Sequence, residues 1–106
     1  MKQWEVYTWR FPHGEHPAVI VTPEAWLHLD TVNVLACTTK EVRRSAELHE
    51  VLLDEEDGLN WPTLCRCHRV WLAPKKELVH LRGSVTPERR RQIGQKLIRV
   101  FGLYLD

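Results

Sequence analysis

The sequence lacks the features that would place it in a membrane, secretory or strongly basic class. No apolar run approaches the roughly 18 residues that a membrane-spanning helix needs, and the first residues, MKQWEVYTWR, are too polar for a secretory signal peptide. An excess of charge is also missing, because 15 Lys and Arg stand against 14 Asp and Glu. Bulk electrostatics therefore does not by itself indicate a partner of opposite charge.

Cysteine is scarce, and its number is odd. The chain has three cysteines, and two of them, Cys65 and Cys67, are separated by a single residue. This pattern is a poor basis for a disulfide framework, which needs even numbers and wider spacing. We therefore expect a reducing compartment and a cytoplasmic protein.

The 106 residues are enough for one small domain, which we assign to 1–106. Alternating and buried-type apolar runs predict strands over Trp4–Trp9, Ala18–Val21, Thr31–Thr38, Leu48–Leu53 and Thr63–Trp71. The last of these is expected to continue or bend into another strand before Pro74. Loops are predicted over Phe11–His16 and Lys40–Ala46, and the residues DEEDGLNWP predict a turn-rich segment.

Two helical elements are predicted. Thr22, Pro23 and Glu24 are typical of the start of a short helical turn over Ala25–Leu29. The longer helix begins after Thr86, a suitable N-cap, with Pro87 at its first position and Glu88 at the positive end of its dipole. Its apolar residues recur at helical spacing, so that one face packs on the sheet and the other faces water. The sheet-facing set is Ile93, Leu97, Ile98 and Phe101, and the water-facing set is Arg89, Arg90, Gln92 and Arg99.

Five or six short strands followed by one helix predict a mainly β protein with a C-terminal α-helix. Short strands of this kind form a strongly bent sheet with the helix as a lid. This architecture predicts a small β-barrel with a helix, and alone it predicts no function.

Four segments, in order along the chain, resemble the MazF/PemK toxin family. They are TWRFPHGEHPAVIVTP, VNVLACTTK, HEVLLDEEDGLNWPTLCRCHRV and RGSVTPERRRQIGQKLIRVFG. The resemblance covers nearly the whole chain, although no single segment is diagnostic. It implies an SH3-like barrel of the CcdB/MazF/PemK kind, a homodimer, and the toxin role in a type II toxin–antitoxin pair with a cognate antitoxin protein.

The resemblance to the family's ribonucleases also implies a reaction. They are metal-independent, need no cofactor, and cleave single-stranded RNA through attack of the 2′-hydroxyl. That reaction needs a base for the hydroxyl, an acid for the leaving oxygen, and a cation or hydrogen-bond donors for the phosphorane.

The family places an arginine before the proline of its second strand and a threonine at the end of its third. The threonine corresponds to Thr38, and the arginine position is occupied by His16. The loop before it is shortened to PHGE. A guanidinium is always charged, whereas imidazole is cationic only below about pH 6.5. Three roles for His16 stay open: an acid or base in its own right, the relic of a lost site, or a structural hydrogen bond.

The resemblance and the residue chemistry give a wider set of candidate RNA contacts. Arg10 or Arg69 is expected to replace the missing phosphate clamp. Trp61, in the loop after Gly58, is the tryptophan that we expect to be exposed and able to stack on a base, while at least three of the five tryptophans are expected in the core or an interface. The full candidate set is Arg10, His13, Glu15, Thr39, Lys40, Trp61, Thr63 and Arg69.

A zinc site built from Cys65, Cys67 and His68, with His13 and His16 from elsewhere in the chain, is an alternative. Structural zinc sites usually start from two cysteines separated by two to four residues. The C-x-C pair here fits poorly, and small buried cysteines are commoner. We therefore expect no metal site.

Two other functions remain open. The chain can be a non-catalytic family member that binds RNA or only a partner protein. The related CcdB branch poisons DNA gyrase through an extreme C-terminus that ends Trp-Gly-Ile. This chain ends Tyr104-Leu105-Asp106, so gyrase is the least favoured partner.

Overall fold

The computed structural model describes residues 1–38 and 46–103. These residues form six strands, three short 3-10 turns and one α-helix. The strands are β1 (Glu5–Phe11), β2 (Gly14–Ile20), β3 (Thr31–Thr38), β4 (Glu50–Leu53), β5 (Thr63–Pro74) and β6 (Val79–Ser84), and the helix is α1 (Pro87–Val100). Neither α1 nor any other helical segment among them has the length and apolar character of a membrane span.

The strands form a single curled sheet in the order β4-β5-β3-β2-β1-β6. Every neighbouring pair is antiparallel. The sheet curls into a half-barrel, and the helix follows it at the C-terminal end. The predicted fold class, a mainly β barrel-like sheet with one terminal helix, is therefore confirmed.

The sheet separates two apolar clusters, because successive side chains of a strand point to opposite faces. Val6, Leu35 and Leu53 belong to one cluster, which Ile93 of α1 covers. Phe11 and Ile20 belong to the other. The thiols of Cys37, Cys65 and Cys67 all lie in the cluster beneath the helix, at 1% exposure or less. These cysteines are therefore small core residues.

The first hairpin is tighter than the sequence predicts. The segment Phe11–His16 was expected to be a loop, but β1 runs through Phe11, β2 starts at Gly14, and these two residues pair directly. Gly14 has a φ of +129°, a conformation that a side chain disfavours. The turn is thus reduced to two residues, Pro12 and His13, and His16 lies inside a strand opposite Trp9.

Smaller corrections concern the ends of other elements. The helical turn expected over Ala25–Leu29 is a 3-10 turn over Glu24–Trp26, and Thr22 does not cap it, because its hydroxyl accepts from the Asn33 N–H at 2.7 Å. Strand β4 begins at Glu50 rather than Leu48, since the preceding residues form a turn. Of the predicted loop Lys40–Ala46, only Ala46 belongs to the described residues.

The sheet also contains a strand that has no counterpart among the predicted ones. Strand β6 pairs with β1, with an irregularity between Val6 and Thr8. Its exposed aliphatic residues and the left-handed His80 (φ +55°) hide the usual alternation. By contrast, β5 is one continuous strand of twelve residues that pairs first with β4 and then with β3.

The tryptophans divide as expected between core and surface. Trp9 is buried, and Trp4 and Trp71 are partly buried against the two clusters. Trp61 is 59% exposed, as predicted, and Trp26 is similarly exposed.

The helix packs differently from its apolar pattern. Ile93 is fully buried and Leu97 is partly buried, but Ile98 and Phe101 are about half exposed, at 47% and 49%. Thr86 occupies the N-cap position without a side-chain cap. Its N–H instead donates to Asp57 Oδ1 at 2.9 Å.

Arg89 was expected to face water, and this prediction is wrong. Its Nη1 lies 2.6 Å from Asp54 Oδ1 and 2.5 Å from the buried Asp57 Oδ2. Asp57 also accepts from the N–H of Asp54. The hydrogen bond from Arg89 holds the pKa of Asp54 below its usual range. The Asp57 carboxylate thus links the β4–β5 turn to the start of α1 and to the Arg89 side chain.

Gly83 and Gly58 allow these segments to approach each other. A Cβ on Gly83 would lie 2.0 Å from the carbonyl oxygen of Asp57. Gly58 ends the 3-10 turn with a φ of +87°, and a Cβ there would lie 2.8 Å from the Gly83 Cα. Two backbones are therefore in direct contact at this point.

Replacing Asp57 should strongly destabilise the fold. Asp57→Ala leaves the N–H groups of Asp54 and Thr86 and the Arg89 guanidinium without their buried acceptor, so unfolding free energy should fall by about 3 kcal/mol. Urea unfolding followed by circular dichroism measures this. Glu56→Ala, which removes an exposed neighbouring carboxylate, should stay within about 0.5 kcal/mol of the original chain. Equal midpoints for both variants would contradict the role of Asp57.

Two glycine substitutions should have opposite effects. Gly83→Ala forces its methyl group into backbone and should cost about 2 kcal/mol or more. Gly94→Ala, in α1, meets nothing within 4 Å and should stabilise by up to about 1 kcal/mol through helix propensity. Thermal melts of the two variants give the comparison, and a rise in melting temperature for Gly83→Ala would refute the close backbone contact.

Candidate functional site

The register between β3 and β5 shifts beside a surface groove. Leu35 pairs with Val70, but two residues later Cys37 pairs with Cys65. One residue of β3, Ala36, therefore stands opposite four residues of β5, 66–69. The surplus makes β5 bow outwards, as bulges do, and redirects its side chains.

The redirected side chains line a groove of about 400 Å³. Its floor includes the small side chain of Ala36, which leaves space at the centre of the bulge. Its other lining residues are His13, Arg66, His68, Arg69 and Trp71. The groove thus combines two guanidinium groups, two imidazoles and an indole, a set suited to an anionic and aromatic ligand.

Aromatic rings fix the wall nearest the β1–β2 hairpin. The ring centroid of buried Phe11 lies 5.4 Å from that of His13, 6.2 Å from that of His16 and 5.5 Å from that of Trp71. The His13 and Trp71 centroids are 5.9 Å apart. Edge and tilted contacts of this kind are favourable and restrict ring rotation, so the histidines are held against a rigid support.

His13 and His16 form a pair. Their ring centroids are 4.8 Å apart, because the two-residue turn places His13 directly above the start of β2. An imidazole can accept or donate a proton near neutral pH. Two imidazoles at this separation can therefore divide the roles of acid and base between them.

Thr38 lies at the end of β3, two residues beyond Ala36, which pairs with Ala18 of β2. The Thr38 carbonyl accepts a hydrogen bond from the Thr63 hydroxyl at 2.5 Å. Thr63 is fully buried, so it supports the end of β3 from within the core and does not line the groove.

Arg69 is held over Trp71. Its guanidinium carbon lies 4.6 Å from the centroid of the indole, a cation–π contact that orients the charge. Of the two arginines that the sequence suggests as phosphate clamps, the structure places Arg69 in the groove. Arg10 and Glu15 pair with each other across the hairpin, and strand alternation sets both on the face opposite to His16.

The remaining candidates divide between exposed and undescribed positions. Trp61 lies two residues before β5 and is exposed, but it does not line the groove. Thr39 and Lys40 lie outside the described residues.

Sequence reasoning missed Arg66, and it considered His68 only as a zinc ligand. The signal was the segment CRCHR, because every residue in it other than the two cysteines is an arginine or a histidine. Burial lowers the pKa of His68, and the positive charges of Arg66 and Arg69 and the neighbouring His49 lower it further. His68 is therefore neutral around pH 7.

The cysteines do not join the histidines of the groove. Cys65 and Cys67 point into the core beneath α1, whereas Phe11, which supports His13 and His16, belongs to the other cluster. Hydrogen bonds with Cys37 and Cys67, together with burial, raise the pKa of Cys65 well above its usual value. The hydrogen bond with Cys65 lowers the pKa of Cys67 instead. It is therefore the placement of both thiols in the core, away from His13 and His16, that does not favour the C-x-C zinc alternative.

Comparison with known proteins identifies the family. Residues 2–101 match the family described as PemK-like, MazF-like toxin of type II toxin-antitoxin system. The chain belongs to this family. The resemblance inferred from its four sequence segments is thereby confirmed.

Solved structures agree with this assignment. The chain is similar to an endoribonuclease in complex with its cognate antitoxin from a mycobacterial species, with a TM-score of 0.85, 24% identity and coverage of 100% of this chain and 99% of the other. It is also similar to the Mycobacterium tuberculosis toxin MazF-mt6, with a TM-score of 0.82, 22% identity and coverage of 95% and 99%.

A more distant similarity is to the MazE–MazF complex from Deinococcus radiodurans, with a TM-score of 0.77, 14% identity and coverage of 98% and 97%. At these identities the structural matches establish the shared fold. No match was found among curated proteins.

Proposed function

We propose that this toxin is a metal-independent endoribonuclease that cleaves single-stranded RNA in the groove between the β1–β2 hairpin and the bulge of β5. The observation that carries the proposal is the His13–His16 pair, with ring centroids 4.8 Å apart, beside a groove lined by Arg66 and Arg69. This set contains every group that attack by a 2′-hydroxyl needs. The structural similarity to an endoribonuclease supports it.

In the proposed reaction the 2′-oxygen forms a bond to phosphorus and the bond from phosphorus to the 5′-oxygen breaks. One imidazole of the pair takes the proton of the 2′-hydroxyl, and the other, in its protonated form, gives a proton to the departing 5′-oxygen. The products are a 2′,3′-cyclic phosphate and a 5′-hydroxyl. Because the two histidines supply both proton transfers, this route requires no metal ion.

Charge and stacking position the RNA. The phosphorane gains negative charge, which Arg69 and Arg66 stabilise from the bulge, and we infer that the Thr38 hydroxyl adds a hydrogen bond. Arg69 is already oriented by Trp71. The exposed part of Trp71 offers a surface on which an unpaired base can stack. An arginine from β5 thereby takes the part of the family arginine that His16 replaces.

The proposal includes the partners and compartment of such a toxin. Two similar structures are complexes with an antitoxin, and we infer that a cognate antitoxin binds and silences this chain. We also infer a homodimer, because aliphatic side chains of β5 and β6, among them Leu72 and Leu81, are more than half exposed. The RNA substrate places the activity in the cytoplasm.

A non-catalytic toxin is the second candidate, and one observation favours it. His16 stands where the family has an arginine, so the site has lost a permanent charge at that position. In this case the groove binds RNA or a protein without cleavage.

Cleavage should depend on His16 in a way that separates these candidates. His16→Ala should lower the rate on the order of 10²-fold or more, the usual scale for an acid–base group. His16→Arg keeps a positive charge but cannot transfer a proton near neutral pH. It should therefore also slow cleavage if His16 is an acid or base, and should keep activity with a flatter pH dependence if His16 supplies only charge. The measurement is cleavage of mixed-sequence single-stranded RNA in EDTA, with mapping of the cyclic-phosphate ends.

His28→Ala is the matched control, since it removes an exposed histidine outside the groove and should leave the rate unchanged. Thr38→Val and His13→Ala should each slow cleavage while their thermal melts stay close to that of the original chain. Full activity of His16→Ala would remove His16 from the mechanism. If neither the original chain nor His16→Arg cuts RNA, the non-catalytic candidate is correct.

The dimer can be tested directly. Light scattering coupled to size exclusion should give twice the mass of one chain at micromolar concentration. Leu72→Lys and Leu81→Lys, which place charge on the exposed aliphatic surface, should shift the mass towards one chain without changing the thermal melt of the monomer. A single-chain mass for the unmodified protein would refute the dimer.

A further inference from the structure

The turn before β4 brings three metal-binding side chains together. Glu47, His49 and Glu50 each place one ligand atom within 4.8 Å of the others. This group was not predicted from the sequence, because its members are not at the spacing of a standard metal motif. It is separate from the His13–His16 pair.

The backbone of this turn fixes two of the three residues. The Glu50 N–H donates to the Glu47 carbonyl at 2.9 Å, and the Glu47 N–H donates to Glu50 Oε1 at 3.0 Å. Glu50 is only 2% exposed, so its carboxylate has a defined position at the base of the cluster. Glu47 is exposed and its Oε2 lies 3.8 Å from His49 Nδ1, so these two side chains are direct neighbours.

A second imidazole lies beside the cluster. The ring centroids of His49 and His68 are 4.4 Å apart, and the adjoining strands are held by a hydrogen bond of 2.7 Å from the Cys67 N–H to the His49 carbonyl. The His68 imidazole, on β5, therefore borders the cluster of Glu47, His49 and Glu50.

We propose that this cluster is a binding site for a divalent transition metal of the zinc class, with Glu47, His49 and Glu50 as ligands and His68 as the fourth. Imidazole and carboxylate together suit zinc, whereas calcium and magnesium prefer oxygen ligands alone. The two carboxylates offset the charge of the ion, and the positive charges of Arg66 and Arg69 near His68 oppose it. The site does not depend on ribonuclease activity, and it is distinct from the zinc alternative based on cysteine.

The test is calorimetric titration of the tag-free, full-length protein with zinc. One ion should bind per chain. His49→Ala and Glu50→Gln should each lower the affinity at least about tenfold, the scale of losses at metal sites. Glu50→Gln is the sharper variant, because the amide oxygen can keep the hydrogen bond to Glu47 while the charge is lost. His68→Ala should also weaken binding.

His28→Ala is the matched control, because it removes an exposed histidine from elsewhere and should not change the affinity. Nuclear magnetic resonance of the imidazole nitrogens gives an independent readout, since zinc should shift the signals of His49 and His68 and leave those of His28 in place. Absence of saturable binding at millimolar zinc would overturn the proposal. It would equally be overturned by binding that His49→Ala retains but that thiol blocking abolishes, since the cysteines would then hold the ion.

Discussion

The pairing of β3 with β5 is the constraint on which the rest of the site depends. Between Leu35 and Cys37 the register changes so that Ala36 faces four residues of β5. Backbone pairing is satisfied on both sides of the shift, so the surplus must leave the plane of the sheet. Because β5 bows outwards at this point, the side chains of Arg66, His68 and Arg69 form one wall of the groove. The hairpin of β1 and β2 supplies the opposite wall. If β3 and β5 paired without a register shift, this hairpin would face a flat sheet.

The fold was largely predictable because its signals are local. The apolar run Ala18–Val21 and the alternation of Thr31–Thr38 predicted two central strands, and Thr86-Pro87 predicted the start of the helix. The misses arise where tertiary contacts override local preference. Arg89 looks like a surface residue in a helical pattern, and only the fold reveals the buried Asp57 beside it. Strand β6 was missed because its apolar residues are exposed and His80 breaks its geometry.

The site was predictable where it follows the family pattern and unpredictable where it follows the register. His16 and Thr38 lie on the paired strands β2 and β3, and their places on these strands can be inferred from two strand motifs. From the sequence alone, Arg10 and Arg69 were equally suitable as the phosphate clamp. Strand alternation sets Arg10 on the face opposite to His16, whereas Arg69 lines the groove. The bulge cannot be predicted from the spacing of residues, since a strand with extra residues in a bulge has the same sequence pattern as a longer regular strand.

The contact between Gly58 and Gly83 has an evolutionary consequence. Gly83 is required by the backbone of the other segment, whereas Gly58 is required both by that segment and by its own left-handed φ. The space taken by a side chain at one position cannot be recovered by a smaller residue at the other, because no residue is smaller than glycine. Divergence of this lineage must therefore either preserve both glycines or rebuild the β4–β5 turn and the approach to the helix together, and intermediate sequences between these two solutions would fold poorly.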